Sequence, residues 1–81
     1  MKERTFKSAQ NLEARIAALF VQNANKFQSR IKITSGNKSI NGKSMMGVIS
    51  MTIYEGEEIK ITADGPDEQE AIDSLAHMLS F

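Results

Sequence analysis

Eighty-one residues leave room for one domain, and a chain this short buries only about 60% of the surface that its unfolded form exposes. With no cysteine it must rely on packing of Ile, Leu, Phe, Met and Ala, without disulfides or thiolate metal sites, which is compatible with a reducing cytoplasm. Ten Lys/Arg balance ten Asp/Glu, which argues against non-specific nucleic-acid binding, and no apolar run approaches the ~20 residues of a membrane span or opens a signal peptide.

The chain opens with an alternation: Arg4, Phe6 and Ser8 fall on one face, Glu3, Thr5 and Lys7 on the other, as in a strand. Asn11 is the expected helix N-cap, because its short side chain can accept a bond from an orphan N–H. Leu12, Ile16, Leu19, Phe20, Asn23 and Phe27 then recur at helical spacing and predict an apolar stripe that packs on a sheet. Ile31 and Ile33 alternate with Arg30, Lys32 and Thr34. Ser35-Gly36-Asn37 reads as a turn and Lys38–Asn41 as the return strand of a hairpin.

Ser44 suits the N-cap of a short helix running to about Ile49 or Met51. Ile59, Ile61 and Ala63 alternate with Lys60 and Thr62, predicting another strand, which Gly65-Pro66-Asp67 ends. Asp67 and Glu68 favour a helix start, and Ala71, Ile72, Leu75, Ala76 and Leu79 form the last stripe. The order is β-α-β-β-α-β-α. Strands with one apolar face need helices on that face only, which makes an α+β layer pair.

Two segments carry a resemblance: Leu12-Glu13-Ala14-Arg15, with Ala17, and Asn41-Gly42-Lys43-Ser44-Met45-Met46-Gly47-Val48-Ile49-Ser50-Met51. With Thr5-Phe6-Lys7, Phe20-Val21-Gln22, Ala24, Phe27 and Asp67–Ala71, they make essentially the whole chain, 1–81, resemble the HPr family of the bacterial sugar phosphotransferase system. The resemblance implies a single open-faced β-sandwich, with a four-stranded antiparallel sheet and helices on one face. It also implies that Glu13 stands where the family has its phosphoryl-carrying histidine, that Ile16 replaces a proline, and that the preceding loop is about two residues short. Ala18–Gln22, Ala24-Asn25 and Phe27 look closer to the catabolite-repression branch, which also lacks the histidine.

On that resemblance the chain is expected to be a non-catalytic regulator of carbon catabolite control. Ser44 would be phosphorylated by the HPr kinase/phosphorylase, and the product would act as corepressor of a catabolite-control transcription factor. Arg15, Ala18, Met45, Met46, Gly47 and Ile49 would form the partner-binding face. No cofactor, direct nucleic-acid contact or membrane contact is expected, the setting is cytoplasmic, and the protein is a monomer or a weak homodimer. The alternatives are a phosphocarrier component with altered or residual activity and an HPr-fold interaction module with other partners.

Chemistry sets the carrier role apart. An imidazole is nucleophilic at neutral pH and passes on its phosphoryl group readily. A carboxylate could form an acyl phosphate, but it serves more simply as a charge near a helix N-terminus or as a fixed imitation of phosphohistidine paired with Arg15. Elsewhere, Gly36–Ser44 has the wrong glycine spacing for a phosphate-binding P-loop. His77 is the sole histidine and has no sequence cluster of metal ligands around it.

Overall fold

The computed structural model describes residues 1–80; Phe81, the last residue of the expected span, lies outside the described residues. The elements run β1 (Lys2–Lys7), α1 (Ala14–Ala24), β2 (Arg30–Ser35), β3 (Lys38–Asn41), α2 (Met45–Ser50), β4 (Glu58–Asp64) and α3 (Glu68–Ser80). The sheet order is β1-β4-β2-β3 and every neighbouring pair is antiparallel.

The register turns the alternation into two unlike faces. Phe6 lies opposite Ile59, Ile33 opposite Ile61 and Ile31 opposite Ala63, so the apolar residues stack on one side. That side is covered by Phe20 and Val21 of α1, Val48 of α2, and Ile72, Leu75 and Leu79 of α3, all buried in one core. Glu3, Thr5, Lys32, Lys60 and Thr62 occupy the other, open side. Arg4 shares the face of Phe6, and its guanidinium reaches Asp73 of α3 at 2.7 Å. The β2–β3 turn needs positive φ at its first loop residue, Gly36 (φ +59), and only there, the pattern of a type II′ hairpin.

Two expectations for the first helix are corrected. Asn11 is not its N-cap: the helix starts at Ala14, Glu13 holds the cap position in extended conformation, and Asn11 Oδ1 accepts the Glu55 N–H at 2.8 Å. The reason is the anchoring of the preceding loop, where the Leu12 N–H donates to the Ile53 carbonyl at 2.9 Å and keeps this stretch non-helical. The packed stripe is also rotated: Ala17, Phe20, Val21 and Ala24 are buried, whereas Leu19 is 47% exposed. Small residues at positions 17 and 24 suit a helix that runs close beside α2 and α3, while the Phe20 ring is fully buried in the core.

The loop joining α1 to β2 is held by a residue distant in sequence, at the start of α3. The Asp67 carboxylate accepts the N–H groups of Gln28 (2.9 Å) and Ser29 (3.0 Å) and the Ser29 hydroxyl (2.5 Å). The Ser29 hydroxyl, followed by the Gln28 amide, holds the Asp67 pKa below the ordinary carboxylate value.

Candidate functional site

The hairpin delivers Ser44 to its place. Asn41 ends β3, its side chain accepts the Lys43 N–H at 2.9 Å, and its carbonyl accepts the Ser44 N–H at 3.0 Å. Ser44 is extended (φ −93, ψ 110), so its hydroxyl oxygen turns back and accepts the Gly47 N–H at 3.2 Å. Its carbonyl accepts the Val48 N–H at 2.9 Å and starts the helix proper. This is an N-cap joined at N3, and it satisfies one of the orphan donors of the first turn. The hydroxyl proton itself has no acceptor among the described residues, and the side chain is partly exposed.

Around Ser44 the helix divides by burial. Val48 is fully buried and fastens α2 to the core, while Met45, Met46 and Ile49 are 39%, 81% and 45% exposed. Gly47 has a spatial reason: a Cβ there would lie 2.6 Å from Ile40 Cγ2 and 3.1 Å from the Ser44 hydroxyl. Glycine therefore lets the first turn of α2 sit against β3 without displacing the cap. The methionines, which composition leaves open between core and surface, lie outside. Flexible, polarisable side chains of this kind make an adaptable apolar contact surface.

The other helix start is built differently. Glu13 and Arg15 are both exposed, and neither side chain makes a hydrogen bond or an ion pair among the described residues. The Glu13–Arg15 pair that the phosphohistidine-imitation alternative requires is thus not formed. Ala18 is half-buried. Four residues beyond Arg15, on the same outer face of α1, stands the exposed Leu19.

The α1–α2 pair places the two starts at opposite ends. Asn25 Nδ2 reaches the Lys43 carbonyl (3.4 Å) and Lys43 Nζ donates to the Phe27 carbonyl (2.6 Å), tying the end of α1 to the start of α2. At the other end, Leu12 is bonded to Ile53, just beyond α2. Ser44 is therefore gathered with Met45, Met46 and Ile49. Arg15 stands in the first turn of the 11-residue α1, at the end of that helix away from the Asn25–Lys43 tie.

Two surface residues escaped the sequence reading. Leu19 belongs to the expected apolar stripe, yet the spacing of Ala17, Phe20, Val21 and Ala24 points it outward. Tyr54, 58% exposed, follows the Leu12-bonded Ile53 and so lies at the Glu13 end; no local pattern marks it. A depression of about 780 Å³ is lined by residues such as Thr5, Thr34, Lys38 and Lys60, and includes none of the candidate residues. The described residues contain no cluster of three or more His, Cys, Asp or Glu able to hold a metal, and no helix long and apolar enough to cross a membrane.

A four-stranded antiparallel sheet with helices on one face and a short serine-capped helix after the β2–β3 hairpin is the architecture of small phosphotransferase-system proteins. The chain belongs to the HPr family: the family model described as the PTS HPr component phosphorylation site matches residues 1–80. It is 48% identical over 65 residues to the HPr-like protein Crh of Bacillus subtilis, covering 80% of this chain and 76% of that one. HPr-C-His from Thermoanaerobacter tengcongensis has the same fold, with a TM-score of 0.89 and 44% identity over 98% of this chain and 91% of that one. A crystal structure of B. subtilis Crh, described as a catabolite-repression protein forming a dimer with a swapping domain, matches with a TM-score of 0.78 and 43% identity. That match covers 91% of this chain and 83% of the Crh chain.

Proposed function

We propose that this protein is an HPr-like regulator of bacterial carbon catabolite control, modified at Ser44 by the HPr kinase/phosphorylase and read by a catabolite-control transcription factor to which it binds as corepressor. The observation that carries the reading is a capping serine with an unused hydroxyl proton, collared by the exposed side chains of Met45, Met46 and Ile49. The likeness to Crh supports the regulatory branch of the family.

A phosphoryl group on Ser44 would carry about −1.5 to −2 charge and three acceptor oxygens. Met45, Met46, Gly47 and Ile49 would supply the apolar part of the contact, and a basic group on the partner the ionic part. Arg15 and Ala18 extend this face along α1.

The protein acts by binding and not as a His phosphocarrier, because the family resemblance aligns Glu13 with the nucleophilic histidine. A carboxylate with one charge and two oxygens, unpaired with Arg15, imitates a phosphoryl group poorly. The protein works in the cytoplasm, as a monomer or weak homodimer.

The test is intact mass after incubation with the kinase and ATP, and separately with enzyme I and phosphoenolpyruvate. One phosphoryl mass in the first reaction alone is expected, and it maps to Ser44. Mass gained only in the second, or at another residue in the first, overturns the reading.

A further inference from the structure

Lys43, next to Ser44, is unusual among the basic residues of this chain in where its charge goes. Its ammonium donates to the Phe27 carbonyl at 2.6 Å, in the turn that follows α1. Among the described residues it takes part in no ion pair. The Lys43 carbonyl meanwhile accepts from Asn25 Nδ2 at 3.4 Å, and the same amide nitrogen donates to the Val21 carbonyl at 2.9 Å. Lys43 is thus clasped at both its main chain and its side chain to the end of α1, while the next residue holds the hydroxyl that starts α2.

We propose that Lys43 is the intramolecular receptor for a phosphoryl group on Ser44, exchanging the Phe27 carbonyl for the phosphate and so transmitting the modification to the turn after α1. This rests on the assignment of Ser44 above.

The physical argument is a competition between acceptors. A neutral carbonyl now holds a full positive charge. The present bond is charged on the donor side only; an ionised phosphate attached one residue away offers the same ammonium an acceptor of opposite full charge, which adds Coulomb attraction to the hydrogen bond. The lysine stem is flexible enough to swing between them. The rest of the turn has its own restraints, so the exchange frees one carbonyl without unfolding the loop. The Lys26 and Phe27 N–H groups bond to Asn23 and Ala24, and the Gln28 and Ser29 N–H groups bond to Asp67. The modification would therefore be read at two places: at its own charge, reduced by Lys43, and at the loosened Phe27–Gln28 peptide.

The test uses full-length protein carrying phosphoserine at position 44, made with the kinase or by incorporating phosphoserine during translation. Carbonyl ¹³C NMR of Phe27 in the wild type should move in the direction of a lost hydrogen bond when position 44 is phosphorylated. The second pKa of the phosphate, followed by ³¹P NMR, should lie about half a unit lower in the wild type than in Lys43→Met, which keeps the stem and removes the charge. Lys43→Arg should restore the low value. A Phe27 carbonyl that does not move, or a phosphate titration unchanged in Lys43→Met, overturns the proposal, and the first measurement needs no variant. Failure of the kinase to label Ser44 would instead overturn the regulatory reading, because phosphoserine placed by translation still tests Lys43.

Discussion

Two helices of this protein begin at residues that the family resemblance singles out, and they begin in opposite ways. At α2 the cap side chain is part of the structure: Ser44 accepts the Gly47 N–H, and a Cβ at residue 47 would crowd its hydroxyl at 3.1 Å and meet Ile40 at 2.6 Å. At α1 the cap residue, Glu13, makes no side-chain cap bond, and the helix is positioned by the backbone bond of Leu12 and the packing of Ala17, Phe20, Val21 and Ala24. A residue without structural duty can change without harming the fold. A residue that caps a helix is held in one geometry, whether or not it is also modified.

The contrast can be broken in several places. Ser44→Ala should abolish kinase-dependent mass gain altogether and cost about 1 kcal/mol of stability in urea unfolding, the ordinary worth of a serine cap. Survival of labelling would remove Ser44 from the site. Gly47→Ala should cost about 1–3 kcal/mol, because the added methyl meets Ile40 at 2.6 Å and either β3 or the helix must shift. An unchanged urea midpoint would mean that the α2–β3 contact is looser than described.

Met46→Ser with Ile49→Ser should leave the urea midpoint nearly unchanged, since both side chains are exposed. The pair should weaken binding of the Ser44-phosphorylated protein to its partner about tenfold, or 1.4 kcal/mol, by calorimetric titration. Glu13→Ala should shift stability by less than about 0.5 kcal/mol. A loss as large as that of Ser44→Ala would end the distinction between the two helix starts.

The smallest effect lies outside both starts. The Asp67 pKa is lowered from its ordinary 3.8 by the Ser29 hydroxyl and the Gln28 amide, and that of Asp73 by Arg4. A depressed carboxylate contributes stability that is complete above the unfolded value and is lost as pH falls through the lower, folded one. Thermal midpoints should therefore decline below about pH 4, and Asp67→Asn should flatten that decline while leaving α2 intact.

Much of this architecture is legible in single residues. Ile31 and Ile33, and Ile59, Ile61 and Ala63, alternate as half-buried strands must, and all five are buried. Ser44 was recognisable as a cap because only a short oxygen-bearing side chain reaches back to an N–H three residues on. The α1 stripe is hard to read because large apolar residues dominate the pattern, whereas Ala17 and Ala24 face the core in a helix set beside α2 and α3, and Leu19 turns out. Asn11 misled for a related reason: a side chain suited to capping a helix serves equally to hold a loop, and the Glu55 N–H took it.

The sequence by itself determined the strands, the helices, the serine cap and, through the two family segments, the HPr family, because periodicity, capping and motif are properties of neighbouring residues. Only the tertiary structure decided that Met45, Met46 and Ile49 face outward. It also tied the end of α1, and not its Arg15 end, to the start of α2 and gave the charge of Lys43 to the Phe27 carbonyl. Those facts depend on how α1 and α2 pack against one another, through bonds that join residues 16 to 41 positions apart, and no local pattern in the chain records them.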